Sequence, residues 1–101
     1  MLEHNSNDTF DFGIAIKWLK SGARVARAGW NGKGMFLVLV PGSIGLTVEE
    51  GRPFALAGVP VGTKFDYLPH IDMFTVQGAF VPWLARQTDV LAEDWSVVKG
   101  G

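Results

Sequence analysis

The chain has 101 residues, of which 48% are hydrophobic and none is cysteine. This length fits one compact domain, and without thiols the fold can have neither disulfides nor thiolate metal ligands. Nine basic residues stand against ten acidic ones, which argues against a protein shaped to bind long DNA or RNA. The longest strongly apolar run, Met35 to Val40, is far below the roughly 20 residues that cross a bilayer. We therefore expect neither a nucleic-acid polymer nor a membrane as a partner.

The N-terminal residues are polar and lack the basic start and apolar stretch of a secretion signal. We expect residues 1–10 to be a flexible lead-in, residues 11–98 to form a single domain, and residues 99–101 to be a tail. A domain of this size buries only part of its apolar surface, so association between copies would add stability.

The apolar pattern predicts a helix near the N-terminus. Asp11 is a suitable N-cap for a helix that begins directly after it and ends at Ser21 or Gly22. At 100° per residue its apolar side chains cover an arc of about 200°, which is twice the stripe needed to pack on one sheet. Ile14 and Trp18 are therefore left over for a second surface. The surface that covers these two side chains belongs to a loop of the same chain or, as we favour, to a partner subunit.

Two strands follow, Ala23 to Ala28 and Met35 to Val40. The second does not alternate in polarity, so we expect both of its faces to be covered, one by the helix and the other by another chain. Between the strands, Asn31-Gly32 is a strong signal for a tight hairpin turn.

The stretch from Ser43 to Pro69 is rich in Gly and Pro and predicts a long excursion with short strands near Leu46 and Phe65. After it, strands at residues 71–75 and 79–83 predict a second hairpin. Its second strand lies at a sheet edge or ends at Pro82, because proline cannot donate to a ladder. A turn or short helix in residues 85–95 and a closing strand at residues 95–98 complete the chain. The predicted fold is α+β, a small antiparallel β-sheet with an N-terminal helix packed on it.

No catalytic motif is recognisable in the sequence. Residues 29–34, GWNGKG, contain the Gly-Lys pair of a phosphate loop without its spacing, which excludes nucleotide hydrolysis of that kind. Their glycines either present backbone amides to an anion or simply shape a turn. His70 and Asp72 would point the same way on a strand, but no third ligand is available, so a structural histidine is favoured over a metal site. We expect a protein that is not an enzyme and that uses no cofactor and no metal.

Charge and aromatic residues are unevenly distributed. The segment from Phe12 to Val48 carries five basic residues and no acidic one, which either complements acids elsewhere in the fold or forms a local positive pocket for a small anion. Trp30, Phe36 and Trp83 lie at or near hairpin ends and offer rings on which bases stack. A ring such as Trp30 needs a cover, either a subunit or a ligand base, and we expect the base.

Three motifs carry a resemblance to a known family. They are FDFGxAxxxLKSGxxVARAGWNGKGMF at residues 10–36, HIDM at residues 70–73 and PWLARQTDVLAEDW at residues 82–95. In this order they resemble the Thoeris anti-defence 2 family of phage proteins. The segment from Ser43 to Pro69 departs from the family's pattern.

The resemblance implies an anti-defence sponge, a protein that binds cyclic ADP-ribose isomers (glyco-cyclic ADP-ribose) made by bacterial Thoeris immunity and withholds them without cleaving them. It also implies a homotetramer, a dimer of dimers, with ligand pockets between subunits, acting in the cytoplasm of the infected bacterial host. For some members it implies a second site for the cyclic oligonucleotide signals of CBASS immunity. The alternative is a phage structural or protein-interaction module with no small-molecule ligand.

The resemblance also implies roles for individual residues. Trp30 would stack an adenine, and Asn31 with the backbone of residues 32–34 would contact ribose or phosphate. Residues 87–89 would bond hydroxyls or base edges, and the basic side chains would meet phosphates, with a structural role as the alternative for Arg27. The expected ligand-binding residues are Trp30, Asn31, Gly32, Lys33, Gly34, Phe36, Arg24, Arg27, Asp72, Trp83, Ala85, Gln87, Thr88 and Asp89.

Overall fold

The computed structural model describes residues 8–30 and 34–99. In chain order the elements are α1 (Phe12–Lys20), β1 (Arg24–Arg27), β2 (Phe36–Val40), β3 (Ser43–Thr47), α2 (Pro53–Leu56), β4 (Lys64–Tyr67), β5 (His70–Phe74), β6 (Phe80–Pro82), α3 (Gln87–Val90) and β7 (Trp95–Val98). These elements form two compact units, one comprising the chain up to Val40 and from Ile71 onward, the other Pro41–His70.

The first unit is built on a five-stranded sheet in the order β6-β5-β2-β1-β7. β1 pairs antiparallel with both β2 and β7, and β5 pairs antiparallel with β6. The predicted second hairpin and the closing strand are confirmed, and Pro82 lies in an edge strand as expected. The α+β class with an N-terminal helix on an antiparallel sheet is therefore confirmed, whereas the tetramer stays a prediction.

Helix α1 forms where its cap and apolar face predict it. The Asp11 carboxylate accepts a hydrogen bond from the Ile14 amide at 3.0 Å, which satisfies one free donor of the first turn. Ala15 and Leu19 are fully buried, while Ile14 and Trp18 are half-buried. The apolar arc is thus wider than the part that the sheet covers, and its second cover remains a prediction.

The core of this unit lies between α1 and one face of the sheet. Its buried members come from the helix, from three strands and from the residues before the helix: Phe10, Ala15, Leu19, Val25, Leu37 and Trp95. In β2 only Leu37 is buried, and its neighbours Phe36 and Val38 are half-buried. Because successive side chains of a strand point to opposite faces, Phe36 and Val38 lie on the face away from α1.

The connection between β1 and β2 is longer than the sequence predicts. A two-residue turn at Asn31-Gly32 would place Val25 opposite Val38, but Val25 pairs with Leu37. The turn residues themselves lie outside the described residues, yet β1 ends at Arg27 and β2 begins at Phe36, so residues 28–35 all belong to the connection. The register between β1 and β2 differs by one residue from that of a strict two-residue hairpin, and the Asn31-Gly32 turn stays a prediction.

The second unit is a two-stranded sheet, β3 with β4, and the short helix α2. Leu46 pairs with Phe65, which confirms the predicted short strands. Pro53 occupies the first turn of α2, a favourable position because its missing amide would have no helical partner there. The sequence pattern of this stretch predicts only the two strands and not this helix. Within the described ranges of the chain, the helices are all too short to cross a bilayer.

Candidate functional site

Three tryptophans form an aromatic cluster at one end of the sheet in the first unit. Trp95, the first residue of β7, is fully buried. The rings of Trp30 and Trp83 both meet it edge to face, with centroids 5.5 Å and 6.1 Å away. Phe12 of α1 contacts Trp95 and Trp83. Trp30 and Trp83 are half-buried, so each ring rests on its own chain and still exposes part of its surface.

An ion-pair network lies beside this cluster. The guanidinium of Arg27, the last residue of β1, bonds Asp89 through Nη1 and Asp94 through Nε, each at 2.9 Å. The second Asp94 oxygen accepts the Gly29 amide at 3.1 Å, and the second Asp89 oxygen accepts the Arg86 amide at 2.9 Å. We call Arg27, Asp89 and Asp94 the carboxylate clamp.

Within the clamp, the pKa values of Asp94 and Arg27 shift in the directions that their opposite charges favour. The hydrogen bond from Arg27, aided by the Gly29 amide, lowers the pKa of Asp94 below its usual value, although burial acts in the other direction. The hydrogen bonds to Asp94 and then to Asp89 raise the pKa of Arg27 above its already high value. Both Arg27 and Asp94 are therefore charged at neutral pH.

The lowered pKa of Asp94 predicts a pH dependence of stability. Because the carboxylate is favoured in the folded state, its contribution is complete above the unfolded-state pKa of about 4 and is lost as the pH falls through the lower folded-state pKa. We expect Asp94→Asn to reduce the stability at pH 7 and to flatten the decline of stability below about pH 4. Urea unfolding between pH 2.5 and pH 7 measures this, with Glu93→Gln as the exposed neighbouring control. An equally steep acid decline in Asp94→Asn would contradict the assignment.

The residues singled out from the sequence lie on two faces of the sheet. Trp30, Trp83, Arg27 and Asp89 lie at the end of the face that α1 covers, because they contact Trp95 or one another. Arg24, Phe36 and Asp72 occupy strand positions that alternate to the opposite face. A single copy therefore presents two groups of candidate residues that point away from each other.

On the opposite face, Arg24 lies over an aromatic patch. Its guanidinium carbon is 4.8 Å from the centroid of the Phe36 ring, and its Nη2 donates to the Lys99 carbonyl at 2.9 Å. Phe36 stacks on Phe74 at 5.1 Å, and Phe80 packs against both rings. This cation–π arrangement and the bond to Lys99 hold the Arg24 head in place.

The remaining candidates differ in exposure. Gln87 and Thr88 open α3 and are exposed, Ala85 is half-buried, and Asp89 is buried. Both carboxylate oxygens of Asp89 already accept bonds within the chain, so a ribose hydroxyl would have to share an oxygen with Arg27 or with the Arg86 amide. Gly34 has a φ of +80°, which suits glycine. Asn31, Gly32 and Lys33 lie outside the described residues.

Two residues of this site were not selected from the sequence. Neither Trp95 nor Asp94 is among the ligand-binding residues expected from the sequence. Asp94 meets Arg27 across 67 positions of chain, a pairing that no local pattern reveals. In the parts of the chain that the structure describes, no three side chains of the metal-ligating types come together.

The second unit contains a cavity of its own. Its volume is about 650 Å³. Phe54, Phe65 and Tyr67 contact one another along its wall. The lining comes from β3, β4, the start of α2 and the connection between β3 and α2: Ser43, Gly45, Leu46, Thr47, Val48, Glu49, Arg52, Pro53, Phe54, Phe65 and Tyr67. It combines an aromatic wall with the charged side chains Glu49 and Arg52, and its size lies within the range of small-molecule sites.

Comparison with known proteins places these features in a family. A family profile described as the Thoeris anti-defense 2-like domain matches residues 10–98. The protein named Thoeris anti-defense 2 of Bacillus phage SP01 is 40% identical over 88 residues, which cover 86% of this chain and 92% of that protein. Both the clamp and the aromatic cluster fall within the matched span, as does the segment from Ser43 to Pro69 that departs from the quoted motifs. The chain therefore belongs to the Thoeris anti-defense 2-like family of anti-defence proteins.

Proposed function

We propose that the protein is a sponge for cyclic ADP-ribose isomers, which it binds inside the infected bacterium and withholds from their effector without cleaving them. The observation that carries this proposal is the pair of half-buried rings, Trp30 and Trp83, packed on the buried Trp95. Rings held on a rigid base lose little freedom when a nucleotide base stacks on them, so stacking contributes about 1 to 3 kcal/mol per base. Family membership supports the anti-defence role.

The division of the candidate residues supports a site between subunits. Trp30 lies at one end of the covered face, whereas Arg24 and Phe36 lie on the opposite face. One small ligand can meet both groups only if a second copy supplies one of them. In the proposed homotetramer, a base stacks on Trp30, a phosphate meets Arg24 or Lys33, and Gln87 and Thr88 bond hydroxyls. Such a pocket encloses most of the ligand and gives each of its polar groups a partner.

Sequestration sets the required affinity. A scarce signal is withheld only if the dissociation constant is roughly nanomolar, about −12 kcal/mol. A sponge gains nothing from chemical turnover, and this chain has no cysteine and no serine in a recognisable nucleophile setting. The proposed protein is accordingly a binder and not an enzyme.

The decisive experiment is mass spectrometry of what the protein carries. The protein is purified from cells that make the Thoeris signal and is denatured by heat, and the masses of the released small molecules are measured. Cells that lack the signal-producing enzyme provide the control. Intact cyclic ADP-ribose isomer supports the sponge. A linearised product would indicate an enzyme, and the absence of any nucleotide would favour a protein-interaction module. Light scattering on the same material tests the tetramer, since a mass near that of one 11.0 kDa chain would overturn the inter-subunit pocket.

We assign a second ligand, a cyclic oligonucleotide signal of CBASS immunity, to the cavity of the Pro41–His70 unit. Its wall of Phe54, Phe65 and Tyr67 offers rings for base stacking, and Arg52 offers a cation for a phosphate. Calorimetry with a cyclic dinucleotide is run on protein already saturated with a cyclic ADP-ribose isomer. Binding that persists there and weakens about tenfold in Arg52→Ala supports a separate site. Competition between the two ligands would place both at the same site.

A further inference from the structure

The two chain segments that carry most of the candidate ligand residues start from neighbouring strand ends. β1 ends at Arg27 and leads into the connection that contains Trp30, while β7 begins at Trp95 and follows the segment that contains α3. Arg27 and Trp95 are directly paired in the sheet. Bonds that join these two strand ends therefore determine the position of Trp30 relative to Gln87 and Thr88.

The carboxylate clamp ties them with several bonds. Asp94 accepts the Gly29 amide through its side chain and the Ala28 amide through its backbone carbonyl, both at 3.1 Å. The Trp30 amide in turn donates to the Arg27 carbonyl at 3.4 Å. The first three residues after β1 are thus all bonded to Arg27 or Asp94.

The clamp also reaches the aromatic cluster through Asp89. Its backbone carbonyl accepts the indole Nε1–H of Trp95 at 3.0 Å, and its side chain accepts Arg27. Trp95 carries the ring of Trp30 on its own ring. The position of the Trp30 indole is therefore determined from both sides, by its backbone and by the ring beneath it.

The charges of the clamp argue against Arg27 as a phosphate ligand. Its guanidinium already faces two carboxylates, and the group as a whole carries a net negative charge. An incoming phosphate would meet the negative charges of Asp89 and Asp94 as well as Arg27, and both carboxylates already accept Arg27 donors at 2.9 Å. A planar fork of donors is what two carboxylates at a fixed angle require, whereas a lysine ammonium is a point charge on a flexible stem.

We propose that Arg27, held between Asp89 and Asp94, is a positioning residue of the ligand site: it fixes the start of the 28–35 connection, and with it Trp30, without touching the ligand. This inference rests on the proposed function for its ligand and on the bonds above for its geometry. It predicts that the shape of the side chain matters and that its charge alone does not suffice.

Arg27→Lys is the test, because it keeps the charge and removes the fork. The matched control is Arg86→Lys, the same substitution at an exposed side chain near the clamp. Calorimetry with a cyclic ADP-ribose isomer is carried out at several salt concentrations, with urea unfolding to confirm that each variant is folded. We expect Arg27→Lys to bind about tenfold more weakly or worse with an unchanged salt dependence, and Arg86→Lys to bind like the wild type.

A second readout does not need the ligand. Amide hydrogen exchange at residues 28–30 should become faster in Arg27→Lys and stay unchanged in Arg86→Lys, because only the former loosens the Gly29 bond. Unchanged affinity with unchanged exchange in Arg27→Lys overturns the inference. A weaker salt dependence in Arg27→Gln, which removes the charge, would instead make Arg27 a direct phosphate contact and overturn the inference. If the wild type binds no cyclic ADP-ribose isomer, the proposed function fails, and faster exchange would then leave Arg27 with a purely structural role.

Discussion

Replacing Trp30 with alanine is expected to lower the affinity for a cyclic ADP-ribose isomer about tenfold to a hundredfold. The ring is half-buried and meets Trp95 edge to face, with an interplanar angle of 84°. That contact leaves part of the indole exposed, and a stacked base would cover it. The substitution removes the stacking surface while the clamp and the buried Trp95 remain in place.

The same substitution is expected to cost some stability, because Trp30 is covered in part by its own chain. Loss of an aromatic pair costs about 0.5 to 1.5 kcal/mol beyond the buried area, so the melting temperature should fall by a few degrees without unfolding the protein. Trp30→Phe is the matched variant, since it keeps a flat ring on Trp95, and it should lose less of both quantities. Calorimetry and melting curves on the three proteins separate the two effects. Wild-type affinity in an intact oligomer of Trp30→Ala would remove Trp30 from the site.

The sequence predicts the scaffold of this site well because local signals specify it. A capping carboxylate at Asp11 and a helical apolar arc determine α1, and the missing donor of Pro82 identifies the edge strand. The short strands near Leu46 and Phe65 are flanked by Gly and Pro, which punctuate the chain clearly. Each of these signals depends on neighbours within a few residues.

The site itself depends on contacts that no local pattern contains. Asn31-Gly32 favours a tight hairpin, but no local signal predicts that the amides of residues 28 and 29 bond Asp94. The sequence predicts that a subunit or a ligand base covers the ring of Trp30. In the structure that ring also contacts Trp95, which is 65 positions away in the chain. The alternative of a structural Arg27 is the one that the bonds favour, and its partners become visible only when β1 and β7 pair.

For Asp89 the role expected from the sequence differs most from the contacts in the structure. As a carboxylate within the family motif at residues 82–95, Asp89 suggests a partner for ribose hydroxyls. Its side chain, however, is only 10% exposed and is paired with Arg27. Buried carboxylates persist in proteins where their partners satisfy them. Removing this one therefore takes an acceptor from both Arg27 and the Arg86 amide.

We expect Asp89→Ala to lower the free energy of unfolding by about 1 to 3 kcal/mol, since Arg27 keeps its bond to Asp94 but loses the charged hydrogen bond to Asp89. The Arg86 amide, which donates to Asp89 at 2.9 Å, also loses its acceptor, at about 1 kcal/mol or more. Urea unfolding at pH 7 and one fixed protein concentration measures the loss. Glu93→Ala, an exposed acid on the same segment, should stay within about 0.5 kcal/mol of the wild type. Asp89→Asn should fall between them, because its amide oxygen still accepts a bond but carries no charge. If Asp89→Ala unfolded like the wild type and yet lost ligand affinity, Asp89 would be a ligand contact that exchanges Arg27 for a ribose hydroxyl, and the clamp would reduce to Arg27 and Asp94.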